Sequence, residues 1–300
     1  MKKKTYLFAL MAMALTLGSC SDNENGIGGE TSKYITVSTS IGNMTRVATD
    51  AKGGQTFEEG DEISVYAWTG APTVAPETSE RVVNNAINKL TNGSWISTPQ
   101  MLWKNNREKH YFIGVYPTAA ISDLSAGEYI FDVNKQTESD LLVAVNKDGI
   151  SYNADEQQTV PLTFTHVMAK LAVNLTYKNQ WGGIPTVEKV VVGNAAKEAT
   201  INYLTKVVTP STTAKEDFSL PEITENTKYV SVIIPQEEVT QLTIVIGGKN
   251  FVYDNGTPFK LESGKITTVN LEVGRDEIKL GDVKITNWED GSTFSGEALN

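Results

Sequence analysis

The chain is poor in the residues that most often carry chemistry. It has one cysteine, Cys20, and two histidines, His110 and His166, in 300 residues. A single thiol excludes an internal disulfide, even in a compartment that would permit one. Stability must therefore come from buried core, which a chain of this length can supply. No CxxC, GxSxG, HExxH, P-loop or dinucleotide glycine pattern occurs. Basic charge is scarce beside acid, with 26 Lys and Arg against 36 Asp and Glu and a net charge of −10. Only four of the basic residues are arginines: Arg46, Arg81, Arg107 and Arg275. Such an acidic surface disfavours nucleic acid and anionic headgroups. Beyond the N-terminus no apolar run reaches the roughly 20 residues of a membrane-spanning helix.

What is there begins at the N-terminus. Lys2, Lys3 and Lys4 precede an apolar stretch from Tyr6 to Leu17, and Leu17-Gly18-Ser19-Cys20 follows. Charge, a short apolar region and a small pair before cysteine read as an export signal ending in a lipobox. Residues 1–19 are then a lipoprotein signal peptide, and the Cys20 thiol carries the lipid. Removing them takes three lysines away and makes the chain more acidic still. Residues 20–32, polar and Gly-rich, read as a flexible tether.

Past residue 32 nearly every apolar segment alternates with period two. Ile35, Val37, Thr39 and Ile41 share one face of a first strand, and Ile63, Val65 and Ala67 share one face of the next. The pattern continues at Tyr111–Val115, Leu171–Tyr177, Val190–Val192, Val230–Ile234, Leu242–Ile246, Phe251–Tyr253, Val269–Val273 and Val283–Ile285. Strands with one buried and one wet face read this way. Asn92-Gly93, Asp148-Gly149, Asn255-Gly256 and Asp290-Gly291 are hairpin signals. No capped helical stripe is visible. The expectation is an all-β chain of antiparallel sandwiches. Its two domains span 33–178 and 179–300 and divide near Gly182, Gly183 and Pro185. The polar stretch Thr209 to Thr227 is expected to be a loop.

Candidate chemistry is thin. Glu58, Glu59, Asp61 and Glu62 are carboxylates close together, but Gly60-Asp61 reads as a turn opening a strand, which leaves the acids solvated. His166 lacks a second ligand nearby and is expected to be a satisfied polar group at a strand end. Asp22-Asn23-Glu24 and Asp132-Val133-Asn134 lack the glycine and glutamate of an EF-hand loop. Trp68, Trp95, Trp103, Trp181 and Trp288 read as core or sheet residues rather than a sugar platform. No catalytic residue, metal site or cofactor is expected.

Several segments together resemble one family. Phe57–Ile63 with the strand ending at Trp68 is similar to its opening block, and Tyr111–Pro117 to its aromatic strand. Ser139–Ala144 followed by Val160–Leu171 resembles its most recognisable stretch, and Leu261–Lys265 and Ile285–Trp288 its closing signatures. This is the fimbrillin-like (Mfa-like) family of Bacteroidetes lipoproteins, subunits of type V pili, and the acids after Cys20 resemble the surface-export signal of such lipoproteins. The resemblance implies two tandem transthyretin-like β-sandwich domains and an outer-membrane lipoprotein that becomes part of a fimbrium. It implies as partners an arginine-specific protease and other pilus subunits, with a host or bacterial surface ligand also in reach. Thr45-Arg46-Val47 resembles the processing position, so a cut between Arg46 and Val47 would free the first strand, Ile35 to Ile41, together with its lipid. A strand of another subunit would then fill the groove. The donor would be the C-terminal segment carrying Val283, Ile285 and Trp288, although Glu289-Asp290-Gly291 interrupts its alternation. The alternative expectation is a surface glycan-binding lipoprotein that stays lipidated and monomeric.

Overall fold

β-branched and aromatic residues in alternation dominate the chain, and strands follow almost without interruption. The computed structural model describes residues 33–42, 56–136, 138–156 and 158–288, all within the unit Thr31–Asn300. In chain order the strands are β1 Thr36–Ile41, β2 Glu62–Thr69, β3 Val83–Thr91, β4 Ser94–Thr98, β5 Lys109–Tyr116, β6 Gly127–Ile130, β7 Leu142–Ser151, β8 Thr159–His166 and β9 Ala169–Tyr177. There follow β10 Val187–Ala196, β11 Glu198–Asn202, β12 Val207–Pro210, β13 Lys215–Ser219, β14 Glu222–Thr224, β15 Lys228–Ile233, β16 Gln236–Ile246, β17 Lys249–Leu261, β18 Lys265–Val273 and β19 Ile278–Asn287. Two single 3₁₀ turns, Thr78–Glu80 and Asn179–Trp181, are the helical content of the described residues.

A seven-stranded sheet runs β1-β8-β7-β5-β2-β3-β4. It rolls until its two edges meet: Trp95 Nε1 on β4 donates to Thr39 Oγ1 on β1 at 3.0 Å. The chain after β4 completes the closure. Ile35 N donates to Met101 O at 2.9 Å and Trp103 N to Lys33 O at 3.2 Å. Three further sheets run β14-β15-β9-β18-β19, β13-β10-β16-β17 and β12-β11-β6.

Not all pairing is antiparallel, as the alternation suggested. β1 runs parallel to β8, and β9 parallel to β18. Parallel neighbours need a long crossover between them, and period-two patterning is blind to direction. The expectation of one wet face also fails at the centre of the large sheet. Ile63, Val65 and Phe112 join Ile35, Val37, Val160, Leu162 and Phe164 in a core inside the roll. Tyr66, Trp68, Ile113 and Val115, on the opposite faces of β2 and β5, join a larger core with Leu171, Val173, Val190, Ile244 and Val269. β2 and β5 are therefore buried on both sides. The 178/179 division falls just after β9, whose hydrogen bonds go to β15 and β18, and β6 pairs with β11.

Asn92-Gly93 forms the expected hairpin turn between β3 and β4, with φ of 50° and 73°. Asp148-Gly149 and Asn255-Gly256 do not turn the chain. Each lies within a strand, β7 or β17, where the register slips. The turn between β16 and β17 is Gly247-Gly248, with φ of 58° and 72°. The Thr209 to Thr227 stretch is not a loop, since it contains β13 and β14. Asp290-Gly291 lies outside the described residues.

Candidate functional site: the seat of the first strand

β1 is held by alternation. Ile35 and Val37 are buried, Thr39 and Ile41 half-buried, and Ser38 and Ser40 exposed. Its register on β8 runs from Thr36 opposite Thr159 to Ile41 opposite Phe164. The wet face is a hydroxyl ladder, with Thr36 and Thr159 Oγ1 atoms 3.2 Å apart and Ser40 Oγ donating to Thr163 Oγ1 at 3.2 Å. β7 reaches β8 only at Phe164 to His166. From Thr159 to Thr163, β1 is the only strand paired with β8 among the described residues. Pro161 sits in that stretch, as proline does where a strand lacks a second neighbour.

The floor beneath β1 is aromatic. Phe57 meets Trp95, Tyr116 and Phe164 edge-on, with ring centroids 5.3, 5.4 and 5.1 Å away. Gly114 makes room for Phe164: a Cβ there would lie 2.6 Å from Phe164 Cζ. Trp95, Met101 and Trp103 complete the seat. Trp95 lies on β4 and Trp103 is buried, and Met101 is a further core residue that no alternation marks. Only the roll of the sheet brings them to β1.

Cys20, Arg46 and Val47 are outside the described residues. Val283 and Ile285, 39% and 38% exposed, sit on the edge strand β19 opposite Val269 and Thr267 of β18. Trp288 is 4% exposed. Its ring stacks on His166 at 4.0 Å and 8°, with Lys170 Nζ 4.0 Å from its centroid. His166 Nδ1 is 2.8 Å from Asp140 Oδ1, so the histidine has a partner at the end of its strand. Burial pushes the Lys170 ammonium below its ordinary pKa, while the Asp140 charge opposes that.

The acidic cluster is a turn. Glu58 N donates to Asp61 Oδ2 at 2.7 Å, Asn92 N to Glu59 Oε1 at 2.8 Å, and Lys89 pairs with Glu62 at 3.0 Å. Asp132 Oδ1 accepts from Asn134 N at 2.9 Å, closing a local turn. Among the described residues no three His, Cys, Asp or Glu side chains are grouped to hold a metal, and no helix is long and apolar enough to cross a membrane. Arg81 is buried, donating to Asn84 Oδ1, Ile121 O and Ser122 O, whereas Arg107 and Arg275 are exposed. A cleft of about 780 Å³ opens beside Trp68, Arg81, Leu102 and Trp103. Both indoles are buried, and Trp103 stacks on Tyr152 at 5.8 Å. Trp95 and Trp181 are half-buried, Trp95 with Phe57 and Trp181 with Phe251 against its ring.

The chain matches the family described as fimbrillin-like over residues 45–288, a span that begins after β1. It also resembles solved structures. One is a candidate cell adhesion protein from Bacteroides uniformis, with TM-score 0.63 and 19% identity, covering 86% of this chain and 100% of that one. A second candidate cell adhesion protein, from Bacteroides ovatus, has TM-score 0.62 and 17% identity over 85% of this chain and 98% of its own. A fimbrial protein from Bacteroides vulgatus has TM-score 0.51 and 13% identity over 84% of this chain and 99% of its own. No curated protein matches the chain.

Proposed function

This chain belongs to the fimbrillin-like family, and on that premise we propose that it is a structural or adhesive subunit of a pilus, exported as a lipoprotein through Cys20. An arginine-specific protease cuts between Arg46 and Val47, the first strand leaves with its lipid, and a strand of another subunit takes its place. The observation that carries this reading is the pairing of β8. From Thr159 to Thr163 its strand partner is β1, the most N-terminal strand described. Loss of β1 would leave an unpaired row of backbone groups beside an apolar floor of Val160, Leu162, Phe164 and Met101, which is what strand addition requires. Burial of Arg81 supports Arg46 as the target, leaving Arg107 and Arg275 as the competing exposed sites.

The two transthyretin-like halves of this reading divide more naturally at Val167-Met168, between β8 and β9, than at residue 178. β9 pairs with β18 much as β1 pairs with β8, each half contributing a parallel first strand. The C-terminal segment is held by the seated Trp288 ring, which supports a chain that receives a strand rather than one that donates β19. That suits a tip or accessory position, whereas an anchor would keep its lipid and its first strand uncut. The role is non-enzymatic, and the place is the outer-membrane surface, then the fimbrium. A glycan-binding lipoprotein has less support, because Trp68, Trp103 and Trp288 are buried and Trp95 and Trp181 half-buried.

The test is intact mass and N-terminal sequencing of native protein from membranes and from sheared filaments. Filament protein starting at Val47 without lipid is expected. Acylated Cys20 in every filament copy would sink the maturation step.

A further inference from the structure

We infer that Trp95 makes the vacated groove selective: the incoming strand must carry a side-chain hydrogen-bond acceptor, a hydroxyl or carboxamide, where Thr39 now lies, between apolar residues where Val37 and Ile41 now lie. The inference rests on the strand-replacement reading above. Within β1 the inward positions are Ile35, Val37, Thr39 and Ile41, and the third is not apolar. Its hydroxyl accepts the Trp95 indole N–H at 3.0 Å, across the gap between the two edges of the rolled sheet. An indole can only donate. The Trp95 ring is half-buried, with the Phe57 ring edge-on at 5.3 Å, a contact that any turn of the indole would change. When β1 leaves, this donor and the backbone groups of β8 lose their partners together. An all-apolar strand would restore the ladder but strip this part-buried donor of its acceptor, which costs affinity.

The same template says which strand does not fit. Laying Val283 and Ile285 of a second copy at the positions of Ile35 and Val37 puts Asn287 at the acceptor position. It then puts the carboxylate of Glu289 where Ile41 contacts the core. Starting from Ile278 and Leu280 puts Asp282 at the acceptor position and Lys284 at that of Ile41. Either choice sets a charge against the apolar core at the half-buried position of Ile41. The occupant is therefore an extended strand of a different subunit, reading apolar-x-apolar-x-acceptor-x-apolar.

The experiment uses the full chain without residues 1–20, carrying a recognition sequence for an unrelated site-specific protease between Gly42 and Thr56. This keeps the result independent of whether Arg46 is cut naturally. After nicking, a fluorescent Lys33–Gly42 peptide is exchanged into the groove and competed with unlabelled peptides. The Thr39→Ser peptide is expected to compete as the parent does. The Thr39→Val peptide is expected to be about tenfold weaker, and that penalty should vanish against Trp95→Phe protein. Equal competition by Thr39→Val, or an undiminished penalty against Trp95→Phe, overturns the selectivity. Failure of any peptide to enter overturns strand replacement instead. The selectivity is then read from urea midpoints of the un-nicked chain with Thr39→Val, Trp95→Phe and both. Additive losses overturn it, and coupled losses sustain it.

Discussion

Ile35 is the residue through which the seating of the first strand is most directly measured. Its side chain is 2% exposed within the roll, and its amide is bound to Met101 O. Ile35→Ala removes three carbons at about 0.8 kcal/mol each in transfer terms. A residual cavity lined by groups as rigid as Phe164 and Trp103 raises the expected loss to about 3 kcal/mol. For a chain of this size that corresponds to roughly 6–12 °C in Tm. Urea unfolding followed by tryptophan fluorescence gives the free energy, and calorimetry the Tm. Ser38→Ala is the control, since that side chain on the same strand is exposed and its loss should stay within about 0.5 kcal/mol. In a chain nicked between Gly42 and Thr56, Ile35→Ala should weaken retention of the strand about a hundredfold. A loss below about 1 kcal/mol, or one no larger than that of Ser38→Ala, would refute the account of β1 as an integral part of the core.

Two further outcomes follow from the same core. Gly114→Ala should cost about 1–3 kcal/mol, because a new Cβ meets the Phe164 ring and has no free space to fill; an unchanged urea midpoint would show that the ring yields freely. His110 is fully buried, its Nε2 accepts from Lys104 N at 3.1 Å, and burial holds its pKa below the ordinary value against the opposing pull of the Glu108 and Ile150 carbonyls. A depressed imidazole pKa means the unfolded chain takes up a proton that the folded one refuses. Stability should therefore be complete above about pH 6.5 and fall as pH drops below it. Urea midpoints at about pH 7.5 and 5.5 should differ more for the parent than for His110→Gln, and equal slopes would exclude His110 as the source.

Much of the strand content was legible because the chain alternates so persistently. What escaped was partner and direction. Val37 on β1 and Val173 on β9 sit in parallel pairs, and nothing in a period-two pattern marks them as different from residues in a hairpin. The double burial of β2 and β5 was nearer the surface of the sequence. Ile63–Trp68 and Tyr111–Val115 are close to continuous apolar runs, the signature of strands covered on both sides. Asp148-Gly149 and Asn255-Gly256 misled because the left-handed backbone that glycine permits serves a bulge as well as a turn. In the site, the apolar rhythm of β1 could be read directly. The Trp95–Thr39 contact could not, since it depends on two edges of one sheet meeting across more than fifty residues of chain.

The parallel pairing of β1 with β8 also has a mechanical side. A pull along the axis of β1 from its N-terminal end loads every rung between Thr36 and Ile41 at once, as rivets in a lap joint share a shearing load, and the antiparallel bridge at Met101 to Trp103 shares it. A pull across the strand would instead open the rungs one after another. A fibre joined through such a seat would be strong under tension along its length and weak to peeling, with the strength lying in the direction of the strand as much as in the number of its bonds.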